Sequence, residues 1–108
     1  MDLPTEVLAE NARQATELLK SMANEHRLMI LCLLAEREMH VAELGERVPL
    51  SQSALSQHLG VLRRSGLVRT RRDSRFIWYA LEGKEAQAVM AALYQLYCGV
   101  PPTDHAEG

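Results

Sequence analysis

Apolar residues recur at helical spacing from the start of the chain. Leu8, Ala12, Ala15, Leu18, Leu19 and Met22 fall on one stripe and predict a helix from Pro4 to Met22. Asn24 is a suitable cap for a second helix, with Glu25 placed for its first turn. Leu28 to Ala35 (LMILCLLA) is apolar on every side, so that helix is expected in the middle of the domain. Glu36, Arg37 and Glu38 close it, and Met39 to Val41 reads as a short strand. Val41, Leu44 and Val48 share one side of a brief amphipathic helix that Pro49 stops. Ser51 then caps a further helix whose stripe is Leu55, Leu59 and Leu62, ended by Gly66.

After Leu67 the period changes from helical to alternating. Val68 to Arg72 and Arg75 to Leu81 are strand-like, with Asp73 and Ser74 expected at the hairpin tip. That tip would set Arg72 opposite Arg75, an unfavourable pairing of like charges that a bound phosphate or a flared, solvated tip would relieve. Gly83 to Cys98 returns to helical spacing, with Ala86, Val89, Met90, Leu93, Leu96 and Tyr97 in a stripe. Gly99 and the Pro101-Pro102 pair end it, leaving residues 99–108 as a loose tail.

Two helices joined by a short turn, the second with a polar outer face, make a helix-turn-helix, and a basic hairpin directly after it makes a winged helix. The expected class is mainly α with a small β-hairpin (α+β), a single winged-helix domain over residues 1–108. Its first and last helices either dimerise or simply cover the core. No apolar run approaches the ~20 residues of a membrane span, and the N-terminus is acidic and polar rather than basic then apolar. The expected compartment is the cytoplasm, with no membrane partner.

The charge of −2 is unevenly spread. Between Arg47 and Arg75 there are seven arginines and one acid, a net +6, while the remainder carries five basic and thirteen acidic residues, a net −8. A basic block inside an acidic protein points to a local polyanion-binding surface. On the helix after Ser51, the face opposite the leucines carries Gln52, Ser53, Ser56, Gln57, Gly60, Arg63 and Arg64. Short or flexible groups that donate and accept suit base edges, which assigns Gln52, Ser53, Ser56 and Gln57 to them. Arg63, Arg64, Arg71, Arg72 and Arg75 are assigned to phosphates, and His58 to the core or the DNA backbone. The plain alternative is a solvated polar face.

Nothing in the chain arranges a catalytic site: there is no Ser/His/Asp order, no paired carboxylates and no Gly-rich phosphate loop. No enzyme activity, cofactor or metal is expected. The histidines (His26, His40, His58 and His105) are scattered over different elements. Cys32 and Cys98 are the only cysteines, and neither lies in a CxxC. Taken alone, Cys32 reads as a small inert core residue.

With these elements in place, the chain resembles the ArsR/SmtB family of bacterial repressors over roughly residues 15–98. The carriers are LLKSMANEHRLMILCLL (18–34), LSQSALSQHLGVLRRSGLV (50–68) and RRDSRFIWYAL (71–81). SQSALSQHL together with a cysteine in the second helix and one ending the last is similar to the persulfide- and redox-sensing branch that includes BigR, SqrR and HlyU. The resemblance implies a winged-helix homodimer, built on its first and last helices, that binds an inverted repeat in double-stranded DNA and is released by an inducer. It implies a disulfide or polysulfide between Cys32 and Cys98 as the switch, with a reactive sulfur species or oxidant as inducer. Metal-sensing relatives often carry CVCDL where this chain has HVAEL (40–44), and zinc-sensing relatives place Asp and His where it has Lys84-Glu85-Ala86-Gln87. A metal-responsive or ungated regulator, or a winged-helix module that meets protein or RNA, is the alternative.

Overall fold

In the computed structural model, residues 3–98 are described. Eight elements follow in the order α1 (Thr5–Met22), α2 (Glu25–Glu36), β1 (Met39–His40), α3 (Val41–Arg47), α4 (Gln52–Arg64), β2 (Val68–Asp73), β3 (Phe76–Leu81) and α5 (Lys84–Tyr97). This is the α+β winged helix-turn-helix expected from the pattern, with α3 and α4 as its two helices and β2–β3 as its wing.

The boundaries follow from local chemistry. Asn24 Oδ1 accepts from the backbone N–H groups of His26 and Arg27 at 2.9 and 3.0 Å, which satisfies two of the donors a helix start leaves open. Ser51 Oγ accepts from the Ala54 N–H at 3.1 Å and starts α4 in the same way. At the other end of α4 the Gly66 N–H bonds to the Arg63 carbonyl and the Leu67 N–H to the Leu62 carbonyl. That double return needs a left-handed residue, and Gly66 supplies it at φ 77°. α4 therefore has a fixed start and a fixed stop.

Ile30, Leu31, Leu44 and Leu62 are fully buried and tie α2, α3 and α4 into one core. The all-apolar α2 is central because β3, α4 and α5 all pack on it. Ala86 and Met90 turn inward from α5, with Val89 and Leu93 half-buried beside them. The rest of that stripe points outward: Leu96 and Tyr97 are 72% and 82% exposed. On α1 only Met22 is buried, and Leu8 and Leu19 stand in solvent. No described helix is long and apolar enough to cross a membrane.

The sheet has the order β1-β3-β2, all antiparallel. Its register corrects the expected hairpin. Asp73 pairs with Phe76 and Arg72 with Ile77, so the tip is Ser74-Arg75, with Ser74 at φ 59°. Arg72 and Arg75 are not opposite each other. The two registers differ by two positions, so both keep the same residues facing inward, and alternation does not separate them. What decides is the base of the wing, where Val68 pairs with Leu81 and both are buried. The tail over residues 99–108, the helix-ending Gly99 and prolines, and His105 lie outside the described residues.

Candidate nucleic-acid interface and cysteine cleft

Leu55, Leu59 and Leu62 bury one face of α4 and so fix which face is left. Gln52, Ser53, Ser56 and Gln57 are all exposed on the first two turns, and Arg63 and Arg64 are exposed on the last. The helix thus presents hydrogen-bonding side chains at one end and cations at the other. Among the described residues, Arg63, Arg64, Arg72 and Arg75 form no ion pair. Arg72 and Arg75 lie on and beside the wing tip, so cations without an ion pair stand on two elements, the end of α4 and the wing.

Arg71, assigned with them to phosphate, is engaged otherwise. It donates to Glu38 through Nε at 3.0 Å and NH2 at 2.8 Å, and its guanidinium lies 5.3 Å from the Trp78 ring centroid. The hydrogen bond from Arg71 holds the Glu38 carboxyl below the usual carboxylate range. His40 stacks on Phe76 with ring centroids 4.8 Å apart and meets Trp78 edge-on at 4.8 Å. The outer half of the wing is therefore clamped to the segment before α3 by one ion pair and three rings. Periodicity carries no sign of this clamp, because Glu38 lies in a loop and its partner is far along the chain.

His58 is half-buried between α4 and α2 rather than on the open face. Its Nδ1 lies 3.2 Å from Arg27 NH1, and the His26 ring is 6.1 Å away. Burial, then Arg27 and His26, push its pKa below the ordinary histidine value. Arg27 also escapes the pattern, since a single arginine in the first turns of a helix reads as solvated.

Cys32 and Cys98 are brought together. Both thiols are free, Cys32 half-buried and Cys98 exposed, and both line one cleft of about 310 Å³ between α2 and α5. Leu28, Met29, Met90, Leu93 and Tyr97 supply its apolar walls. Burial raises the Cys32 pKa above the ordinary thiol value, helped by Cys98 and Glu36. Cys32 also borders a second groove, formed with Ala80, Gln87 and Ala91. Among the described residues, no three His, Cys, Asp or Glu side chains cluster so as to hold a metal ion.

A capped helix with a polar outer face, seated on a helix-turn-helix core and followed by a cationic wing, defines a winged-helix DNA-binding protein. Residues 24–70 match the family model described as "Bacterial regulatory protein, arsR family". "Transcriptional activator HlyU" of Vibrio cholerae is 50% identical over 91 residues, 84% of this chain and 84% of that protein. "Biofilm growth-associated repressor" of Xylella fastidiosa is 41% identical over 93 residues, covering 86% of this chain and 82% of the repressor. The solved structure "Reduced HlyU from Vibrio cholerae N16961" superposes with a TM-score of 0.84 at 49% identity, over 87% of this chain and 99% of that one. BigR from Xylella fastidiosa gives 0.80 at 39% identity, over 90% and 99%. The chain belongs to the arsR family, in the branch that resembles HlyU and BigR. It is a DNA-binding transcriptional regulator and not an enzyme.

Proposed function

We propose that the protein is a homodimeric repressor whose hold on an inverted-repeat operator is switched by a bond between Cys32 and Cys98. The observation that carries this reading is the shared cleft: two free thiols from α2 and α5 face the same apolar space. The polar face of α4 reads base edges through Gln52, Ser53, Ser56 and Gln57, and the wing and helix-end arginines hold phosphates. Dimerisation uses the apolar side chains that α1 and α5 leave in solvent, including Leu8, Leu19 and Leu96.

The exposed Cys98 meets the inducer first, and the half-buried Cys32 closes the bond. A persulfide R–S–SH transfers its outer sulfur to give Cys–S–SH and R–SH. Attack by the second thiol on the inner sulfur then forms the disulfide and releases hydrogen sulfide. Alternatively a second persulfide accepts the two electrons, leaving R–SH, hydrogen sulfide and a trisulfide link. With peroxide, the two thiols give a disulfide and the peroxide becomes water. A direct disulfide requires Cα atoms roughly 4.4–6.8 Å apart, whereas a trisulfide tolerates a wider gap. Either bond draws the end of α5 onto α2, and because α5 lies in the proposed dimer face, the two α4 helices lose their spacing along the duplex.

The test is operator affinity before and after persulfide treatment in the wild type, Cys32→Ser and Cys98→Ser. Loss of affinity only in the wild type is expected. Equal release by all three, or by none, sends the search for the inducer elsewhere. Gel shifts at several salt concentrations against duplex DNA and RNA separate this reading from an RNA or protein interaction module.

A further inference from the structure

Ser21, at the end of α1, is tied to α4 at two points. Its hydroxyl lies 2.8 Å from Ser65 Oγ, at the C-cap of α4. Its carbonyl accepts from Arg27 Nε at 2.7 Å, and the same guanidinium reaches His58 Nδ1, in the middle of α4, at 3.2 Å through NH1. One residue of α1 thus touches α4 at its end directly and at its centre through one side chain. The leucine stripe fixes which face of α4 turns inward, but apolar contacts are non-directional and leave small slides and rotations cheap. Directed hydrogen bonds at two separate points do not.

We infer that Ser21 and Arg27 are positioning residues for DNA recognition: they fix the register of α4 against α1, and so the aim of its base-reading face. The inference rests on the reading of α4 as the helix that faces the bases. A guanidinium only donates, so the Arg27–His58 bond requires Nδ1 to accept, which places the proton of the neutral ring on Nε2. Protonation of His58 removes that acceptor and sets two cations against each other. The charged and titratable neighbours all weigh the same way or are distant. Arg27 and His26 face the ring from α2, Arg64 shares its groove from α4, and Glu25 sits 4.0 Å from His26 on the side chain beyond. From α1 only the neutral Ser21 takes part. The depressed pKa of His58 agrees with this arrangement.

The experiment compares two duplexes, one selected from a random-sequence pool by the wild-type protein and one a scramble of it, at fixed ionic strength. At pH 7.5, Arg27→Ala and the double variant Ser21→Ala/Ser65→Ala should each reduce the selected-to-scrambled affinity ratio about three- to tenfold, the worth of one or two directed hydrogen bonds. Arg27→Lys should fall between, since one ammonium does not reproduce the guanidinium fork. As pH falls below the ordinary histidine range, the wild-type ratio should decline. His58→Asn sets an acceptor near the place of Nδ1 without titrating, so its ratio should exceed that of His58→Gln and stay flat with pH down to the carboxylate range. Circular dichroism melts identify any variant that has unfolded, and the serine pair, which strands no charge, then decides. Ratios unchanged in both Arg27→Ala and the serine pair, or an acid decline above the carboxylate range that persists in His58→Asn, overturn the inference. Gln57→Ala separates the two levels: if it also leaves the ratio unchanged, the reading of α4 fails; if it alone lowers the ratio, only the positioning role does.

Discussion

Arg71 lays its guanidinium along the Glu38 carboxylate, 33 residues away in the chain, with contacts of 3.0 and 2.8 Å. This bond ties the outer strand of the wing to the loop before α3, and it withholds one cation from the basic block. Glu38→Gln should therefore have two opposed effects on DNA binding. With Glu38 neutral, only the longer contact with Asp73 at 3.7 Å still holds Arg71, so the guanidinium becomes available to phosphate, which should raise affinity for any duplex and steepen the log–log salt dependence by roughly one unit per protomer. The loosened wing should lower the preference for the selected sequence. Titrations of both duplexes at several salt concentrations check this; an unchanged slope would mean that Arg71 stays out of reach of DNA even without its bond to Glu38.

Acid should mimic that substitution. The Glu38 carboxyl is held below its ordinary range by Arg71, so its contribution is present above the unfolded carboxylate pKa and is lost as pH falls through the lower, folded value. Wild-type thermal stability should decline across that acidic window more than that of Glu38→Gln. Parallel melting curves as a function of pH are the measurement, and identical curves would show that the pair contributes nothing to folding.

The proposed base readers are expected to act on sequence preference. Gln57→Ala or Ser56→Ala should cost about 1–3 kcal/mol with the selected duplex for each base-specific hydrogen bond removed, and much less with scrambled DNA. Arg63→Ala, Arg72→Ala and Arg75→Ala should weaken both duplexes alike and flatten the salt dependence by about one unit for each phosphate released, twice that in a dimer. Competition binding at two salt concentrations distinguishes the groups. An arginine variant that alters preference without altering the slope would have to be reassigned to the bases.

Most of the fold is legible in the chain because its signals are local. The leucine stripes, the caps Asn24, Ser51 and Gly66, and the change of period after Leu67 each fix an element within a few residues. The pattern puts the hairpin tip one residue early because registers two apart bury the same residues, and the pairing of Val68 with Leu81 is long-range. The same holds for the site. The polar face of α4 and the two cysteines can be read from spacing and resemblance, but the partners of Arg71 and His58 cannot. Glu38 and Arg27 are brought to them only by the packing of α2 against the sheet and α4.

Dimerisation should depend on the side chains left in solvent rather than on the whole apolar stripe. Leu18 and Leu93 pack partly on the core, so a charge there would damage folding as well as association. Leu19 and Leu96 are exposed, and Leu19→Glu or Leu96→Glu should leave the melting of the protomer nearly unchanged while weakening self-association. Sedimentation at several concentrations gives the oligomeric state, and binding to the selected duplex should fall with it. A monomeric variant that binds at full affinity would overturn the proposed architecture.

The cysteine switch makes a prediction about pH and one about reciprocity. Burial and the neighbouring Cys98 raise the Cys32 pKa, so the Cys32 thiolate is scarce at neutral pH. If bond closure waits on that thiolate, crosslinking after persulfide addition should quicken as pH rises through and beyond the ordinary thiol range. Intact-mass measurements against time, at a series of pH values, separate first modification from closure. Linkage supplies the second check. If the Cys32–Cys98 bond weakens operator binding by some factor, bound operator must disfavour the bond by that same factor. The equilibrium between dithiol and crosslinked protein, poised with a thiol buffer, should therefore shift towards the dithiol when the selected duplex is added and not when the scramble is added at equal concentration. A position unmoved by the selected duplex would show that the bond, even if it forms, is not coupled to DNA binding.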